Sequence, residues 1–202
     1  MDKRAVTVAP IDDLIAKRWS PRAYDASRPV EREKLLSLLE AARWAPSCFG
    51  DEPWRFVIGD RSSDEEGWQR IFETLAEKNQ LWAKNAPVLI LVAADSQFRM
   101  NGEPNGWGQY DSGAAAISLC LQAEALGLSA HQMGGFSPEA VSRAVAIPDQ
   151  FTPMAVIALG YQGSLDSLAE DFHPMEIADR KRQPLSENFF SGMWGKALTT
   201  GG

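Results

Sequence analysis

Apolar and polar positions along the chain follow two periods, one helical and one of uninterrupted or alternating strand character. Ile11, Leu14 and Ile15 predict a short helix ending near Lys17, before the Ser20-Pro21-Arg22 break. Leu35, Leu36, Leu38, Leu39 and Ala42 give a broad apolar face to a helix over 30–44, which Pro46 stops. Residues 54–59 read as a strand. Residues 63–79 read as one helix, with Asp64, Glu65 and Glu66 at its positive end. The run 87–94 is continuously apolar, as in a strand buried on both faces. The glycines and proline of 101–108 predict a loop. Residues 111–126 form an alanine-rich helix almost free of polar groups, expected at the centre of the fold and stopped by Gly127. A strand at 129–133 precedes Gly134-Gly135. Ser137 and Pro138 then start a short helix that ends before Pro148. Residues 154–161 predict another buried strand, and the tail 198–202 has few anchors. Strands alternating with helices imply an α/β or α+β sheet covered on its faces.

At roughly 150 residues per domain, 202 residues make one domain, 1–202. The net charge of −7 argues against a nucleic-acid or anionic-membrane partner. No apolar run reaches the ~20 residues of a membrane helix, and the MDKRAVTVAP start has no apolar signal core. A cytoplasmic protein is expected. Cys48, Cys120, His131 and His173 stand apart from one another, so a metal cluster is not expected.

GxSxG, HExxH, Walker and GxGxxG motifs are all absent, which leaves a cofactor as the carrier of any chemistry. Three segments stand out. In Lys17-Arg18-Trp19-Ser20-Pro21-Arg22, two arginines flank a hydroxyl and suit an anionic or carbonyl-rich planar ligand. A solvated basic turn at a helix end competes with that reading. In 45–56, APSCFGDEPWRF, small residues permit close backbone approach to a ligand. An ordinary helix-to-strand loop with an aromatic plug is the alternative. Arg180-Lys181-Arg182 is a compact basic cluster that suits a terminal phosphate or forms a solvated face.

Taken in order, RWSPR, APSCFGDEPWRF, DSGAAAISLCLQAEALGL, MGGF, FTPMAVIALGY and RKR resemble the FMN-dependent nitroreductase family over about 12–187. The resemblance implies an α+β fold, with a mixed central sheet surrounded by helices, in an intertwined homodimer with FMN at the subunit interface. It implies an FMN-dependent NAD(P)H oxidoreductase. NADH or NADPH would be the donor, and a nitroaromatic, quinone or other electron-poor small molecule the acceptor, in a ping-pong cycle. A flavin-binding or storage protein of the same fold, without turnover, is the competing reading. No side chain is assigned as catalytic, because the flavin carries the chemistry.

By the same resemblance, Arg18, Trp19, Ser20 and Arg22 meet the flavin and its phosphate, and a cation near N1 and C2=O favours the reduced ring. Pro46, Ser47 and Cys48 are the flavin-contacting positions of a loop supplied by the other subunit. Gly50 and Glu52 depart from the asparagine and glutamine common there. Asn79 matches a position on the pyrimidine side, with a helix C-terminal asparagine as its alternative. Trp82 stands where some members carry lysine. Met133, Gly134 and Gly135 match the turn near N5 and C4=O, and Arg180 and Arg182 match a phosphate clamp. Trp68, Trp82, Phe98 and Trp107 either roof the acceptor site or serve as core and interface aromatics. Cys48 is read as packing like serine rather than as a redox-active thiol.

Overall fold

The computed structural model describes residues 3–198, so the expected loose tail lies, apart from Leu198, outside the described residues. Four strands form one sheet in the order β1-β2-β4-β3. They are β1 (Trp54–Asp60), β2 (Val88–Asp95), β3 (Ser129–Met133) and β4 (Phe151–Gly160). Side chains of β2 alternate between two cores, as strand geometry requires. Val88, Ile90 and Val92 join one core with Leu35, Leu38 and Ala42 of α2 (Arg32–Arg43) and with Ala115, Leu119 and Ala123 of α5 (Gly108–Ala125). Leu89 and Leu91 join the other, with Trp68 and Ile71 of α3 (Glu65–Phe72), Trp82 of α4 (Glu77–Ala83) and Val141 of α6 (Pro138–Ala144). The architecture is α+β, with helices on both faces.

The expected mixed sheet is corrected in one respect: all three ladders among the described residues are antiparallel. β2 and β3, joined through α5, do run in the same direction. β4 is inserted between them and pairs with each, so the crossover unit is split and no parallel pair forms. β4 also begins earlier than expected, at Phe151. A register shift between Val92 and Ala93 lets Pro153 stand in the strand without its missing N–H breaking a regular ladder.

The single helix expected over 63–79 is two helices. Between α3 and α4, Ala76 N–H donates to Gly135 O (2.9 Å) and Thr74 O accepts from Ser137 N–H (2.8 Å). Leu75 and Phe136 form an isolated bridge. These long-range backbone bonds replace the helical ones. Elsewhere local rules hold. Ser137 caps α6 by accepting from Ala140 N–H, and Gly127 follows α5 at φ +71°, a left-handed stop that glycine adopts without strain. α1 (Asp13–Lys17) ends at Lys17 as its spacing predicts.

Among the described residues, no helix is long and apolar enough to cross a membrane.

Candidate functional site

The chain's two ends meet beside β3. Arg18 follows α1, and its Nη1 donates to Ser20 Oγ at 3.4 Å. Arg180 follows α7 (His173–Ile177) and donates through Nη1 to Lys3 O (2.8 Å) and Ala16 O (2.7 Å). Burial and then the charges of Arg18 and Arg182 lower the pKa of Arg180, which places its guanidinium within electrostatic reach of both. Arg182 is exposed and donates to Lys181 O (2.8 Å). Trp19 lies under the Lys3 ammonium, 4.7 Å from its ring centre.

The arginine segment is also tied to β3 itself. His131 Nδ1–H donates to Pro21 O (2.9 Å), and its ring lies 4.7 Å from that of Trp82. Burial pushes the His131 pKa down to about 4, with Arg22 and Arg18 adding to the effect. The imidazole is therefore neutral near pH 7, with its proton on Nδ1. Arg22 places its guanidinium over Trp82, 6.0 Å from the ring centre. Trp82 is 1% exposed and stacks with Tyr24, so the position that matches a family lysine is core. Trp68 is core as well, whereas Phe98 is half-buried and Trp107 exposed.

Asn79 and the glycine turn are brought together at the far end of β3. Asn79 lies early in α4, not at a helix C-terminus, and its Nδ2 donates to Gly135 O (2.9 Å). That rules out the capping alternative and couples the amide to the turn. Met133 is buried, Gly134 exposed and Gly135 half-buried. A methyl group on Gly135 would come within 2.7 Å of Asn79 Nδ2, so the close approach requires glycine. Gly135→Ala is expected to push the amide aside and cost about 1 kcal/mol, the net value of one hydrogen bond. A denaturant midpoint equal to wild type would show that the coupling carries no stability.

The loop 46–52 is built differently and sits elsewhere. Cys48 N–H donates to Asp111 Oδ2 (2.9 Å) near the start of α5, and Glu52 N–H donates to Ser47 Oγ (3.1 Å). Phe49 (φ 56°), Gly50 (66°) and Glu52 (50°) are all left-handed, a strained turn of the kind that gathers at functional segments. Pro46 is exposed, Ser47 and Cys48 are half-buried, and Phe49 is 83% exposed. Arg18 acts electrostatically on Cys120, and Arg180 is influenced by Glu124, both far along the same helix. Cys120 and Glu124 lie about 14 and 20 Å of helix rise beyond Asp111. Within one chain, then, the structure gathers the arginines, β3, the glycine turn and Asn79, and leaves Pro46, Ser47 and Cys48 at the opposite end of α5.

Three residues that order the site escaped sequence reasoning. Asp111 anchors the loop; a carboxylate in the first turn of a largely apolar helix was the available signal. Glu176 and Lys3 bind the two ends of the chain to each other. They belong to no motif, and their pairing spans nearly the whole sequence.

Comparison with known proteins defines the class. The Nitroreductase family profile matches residues 15–161. A solved oxidoreductase containing FMN superposes with a TM-score of 0.88 and 38% identity, covering 97% of this chain and 98% of that one. A Desulfovibrio desulfuricans protein, provisionally a nitroreductase and solved in complex with FMN, superposes with a TM-score of 0.70 and 25% identity, over 93% of this chain and 99% of that one. A protein of Methanothermobacter thermautotrophicus, provisionally named an NADH dehydrogenase/NAD(P)H nitroreductase, is 30% identical over 171 residues, 82% of this chain and 84% of the relative. The chain belongs to the nitroreductase family.

Proposed function

We propose that this chain is an FMN-dependent NAD(P)H oxidoreductase that reduces electron-poor small molecules. The observation that carries this reading is that Arg180, near one end of the chain, reaches Lys3 O and Ala16 O near the other, two residues before Arg18, with Arg182 close behind it. Three gathered cations repel one another, and a phosphate group would relieve that repulsion while accepting charge-assisted bonds. Both hydrogen bonds that Arg180 gives to described residues leave from Nη1. Its Nε–Nη2 edge, the geometry that binds two phosphate oxygens at once, is left for the ligand. The residues therefore fit the phosphate end of FMN.

At the other end of β3, Gly134 and Gly135 let backbone N–H groups approach a flat ring without side-chain interference. Asn79 is held beside them by its bond to Gly135 O, and in the proposed site it would meet the pyrimidine side of the ring. When bound, FMN would supply the two-electron chemistry that links an NADH or NADPH donor to an electron-poor acceptor in a ping-pong cycle. The chain's own part is to grip the phosphate, orient the ring and hold neutral His131 behind the arginine segment.

Pro46, Ser47 and Cys48 complete the site only if they come from a second copy, since α5 separates them from the arginines of their own chain. The uncovered Ile117, 41% exposed on an apolar helix, fits a homodimer packed through α5. Two equivalent sites then form at the interface.

Purified protein is expected to be yellow. Rapid anaerobic mixing with NADH or NADPH is expected to bleach the flavin absorbance, and a nitroaromatic or menadione to restore it. A bound flavin that neither nicotinamide reduces would leave binding intact and remove the enzymatic reading.

A further inference from the structure

We propose that Glu176 and Lys3 are positioning residues that set the arginine cluster for a phosphate monoester before any ligand arrives, an inference that rests on the FMN reading above. Glu176 is 1% exposed. Its carboxylate accepts from Arg22 N–H at 3.0 Å through each oxygen and from Ala23 N–H at 3.1 Å. A carboxylate so deeply buried carries a large desolvation cost. An apolar residue there would avoid that cost but leave two backbone donors unsatisfied. The carboxylate thus fixes the backbone that follows Arg18 and Ser20 against α7.

Lys3 closes the clasp from the other side. Its ammonium donates to Glu176 O (2.7 Å) and to Ala178 O, and lies over Trp19. Arg180 returns the contact by donating to Lys3 O and Ala16 O. Two carbonyls from different segments hold one nitrogen of the guanidinium and so set the direction of its remaining edge. A side chain already ordered in this way loses less rotamer freedom when a ligand binds. Neither Glu176 nor Lys3 is required to touch the ligand; each acts through Arg180 and the backbone of 18–23.

The test compares two ligands that differ only in the phosphate. Full-length wild type, Lys3→Met and Glu176→Gln, each freed of flavin, are titrated with FMN and with riboflavin by fluorescence quenching. Both variants are expected to lose about tenfold or more of FMN affinity, with riboflavin affinity changing by no more than about a factor of two. The melting temperature of flavin-free Lys3→Met is expected to match wild type, which guards against a folding defect in Glu176→Gln. Equal losses for both ligands, or no loss for FMN in Lys3→Met, would overturn the positioning role. A wild type that binds neither flavin would instead overturn the FMN reading, and the two failures are distinct.

Discussion

Arg180→Ala is expected to weaken FMN binding by roughly 10- to 100-fold, the equivalent of losing charged hydrogen bonds of about 1.5–3 kcal/mol. The effect should be among the largest of any single substitution at the site, because this guanidinium does two jobs. It holds Lys3 O and Ala16 O through Nη1, and in the proposed site its other edge would meet the phosphate. Arg180→Lys should not rescue the loss. An ammonium keeps the charge but has no rigid fork, so it cannot bond two carbonyls and a phosphate in fixed directions. Arg182 is exposed and, among the described residues, bonds its neighbour's carbonyl, so Arg182→Ala should cost less than Arg180→Ala. Fluorescence titration of flavin-free protein with FMN reads all three. Wild-type affinity in Arg180→Ala would remove the phosphate role from the C-terminal cluster.

The legibility of this site in the sequence follows from the range of the interactions that build it. The helix stop at Lys17, the cap at Ser137 and the glycine at 127 rest on contacts within a few residues, and composition reveals such contacts directly. The two-faced burial of β2 was readable because a strand covered on both sides must be apolar at every position. The break between α3 and α4 was not readable, because backbone bonds from 135 and 137, some sixty residues away, override a continuous helical pattern. The antiparallel pairing of β4 between β2 and β3 is likewise a matter of topology, which periodicity does not encode.

The arginines were identifiable as a motif, but their convergence was not derivable from spacing. Arg18 and Arg180 lie near opposite termini, and what joins them is Glu176 and Lys3, residues whose types carry no signal of their own. Asn79 shows the converse. Its residue type and the GG turn are both legible in the sequence, but their direct bond depends on the fold placing the two segments side by side. Trp82 matches a lysine position in the family pattern, yet it packs in the core between Tyr24 and His131. A position matched by order along the chain need not inherit the chemistry of the residue it replaces.

Ile117→Lys is expected to convert the protein to a monomer and, in the same step, to strip it of flavin. α5 buries Ala115, Ala116, Leu119, Cys120 and Ala123 against the sheet and α2, while Ile117 points away from that core. A largely apolar helix is ordinarily covered where it presents a large aliphatic side chain outward. A second chain over Ile117 would provide that cover, and a lysine there would place an unpaired ammonium in the contact at a cost of several kcal/mol. The link to flavin is geometric. Pro46, Ser47 and Cys48 are anchored by Asp111 at one end of α5, and the arginines gather about 14–20 Å of helix rise away. Only an antiparallel or crossed partner can bring one chain's loop to the other chain's arginines. Sedimentation and the visible spectrum should therefore change together. A monomer that keeps its flavin at wild-type affinity would confine the site to one chain, and a dimer that survives the lysine would place the interface off α5.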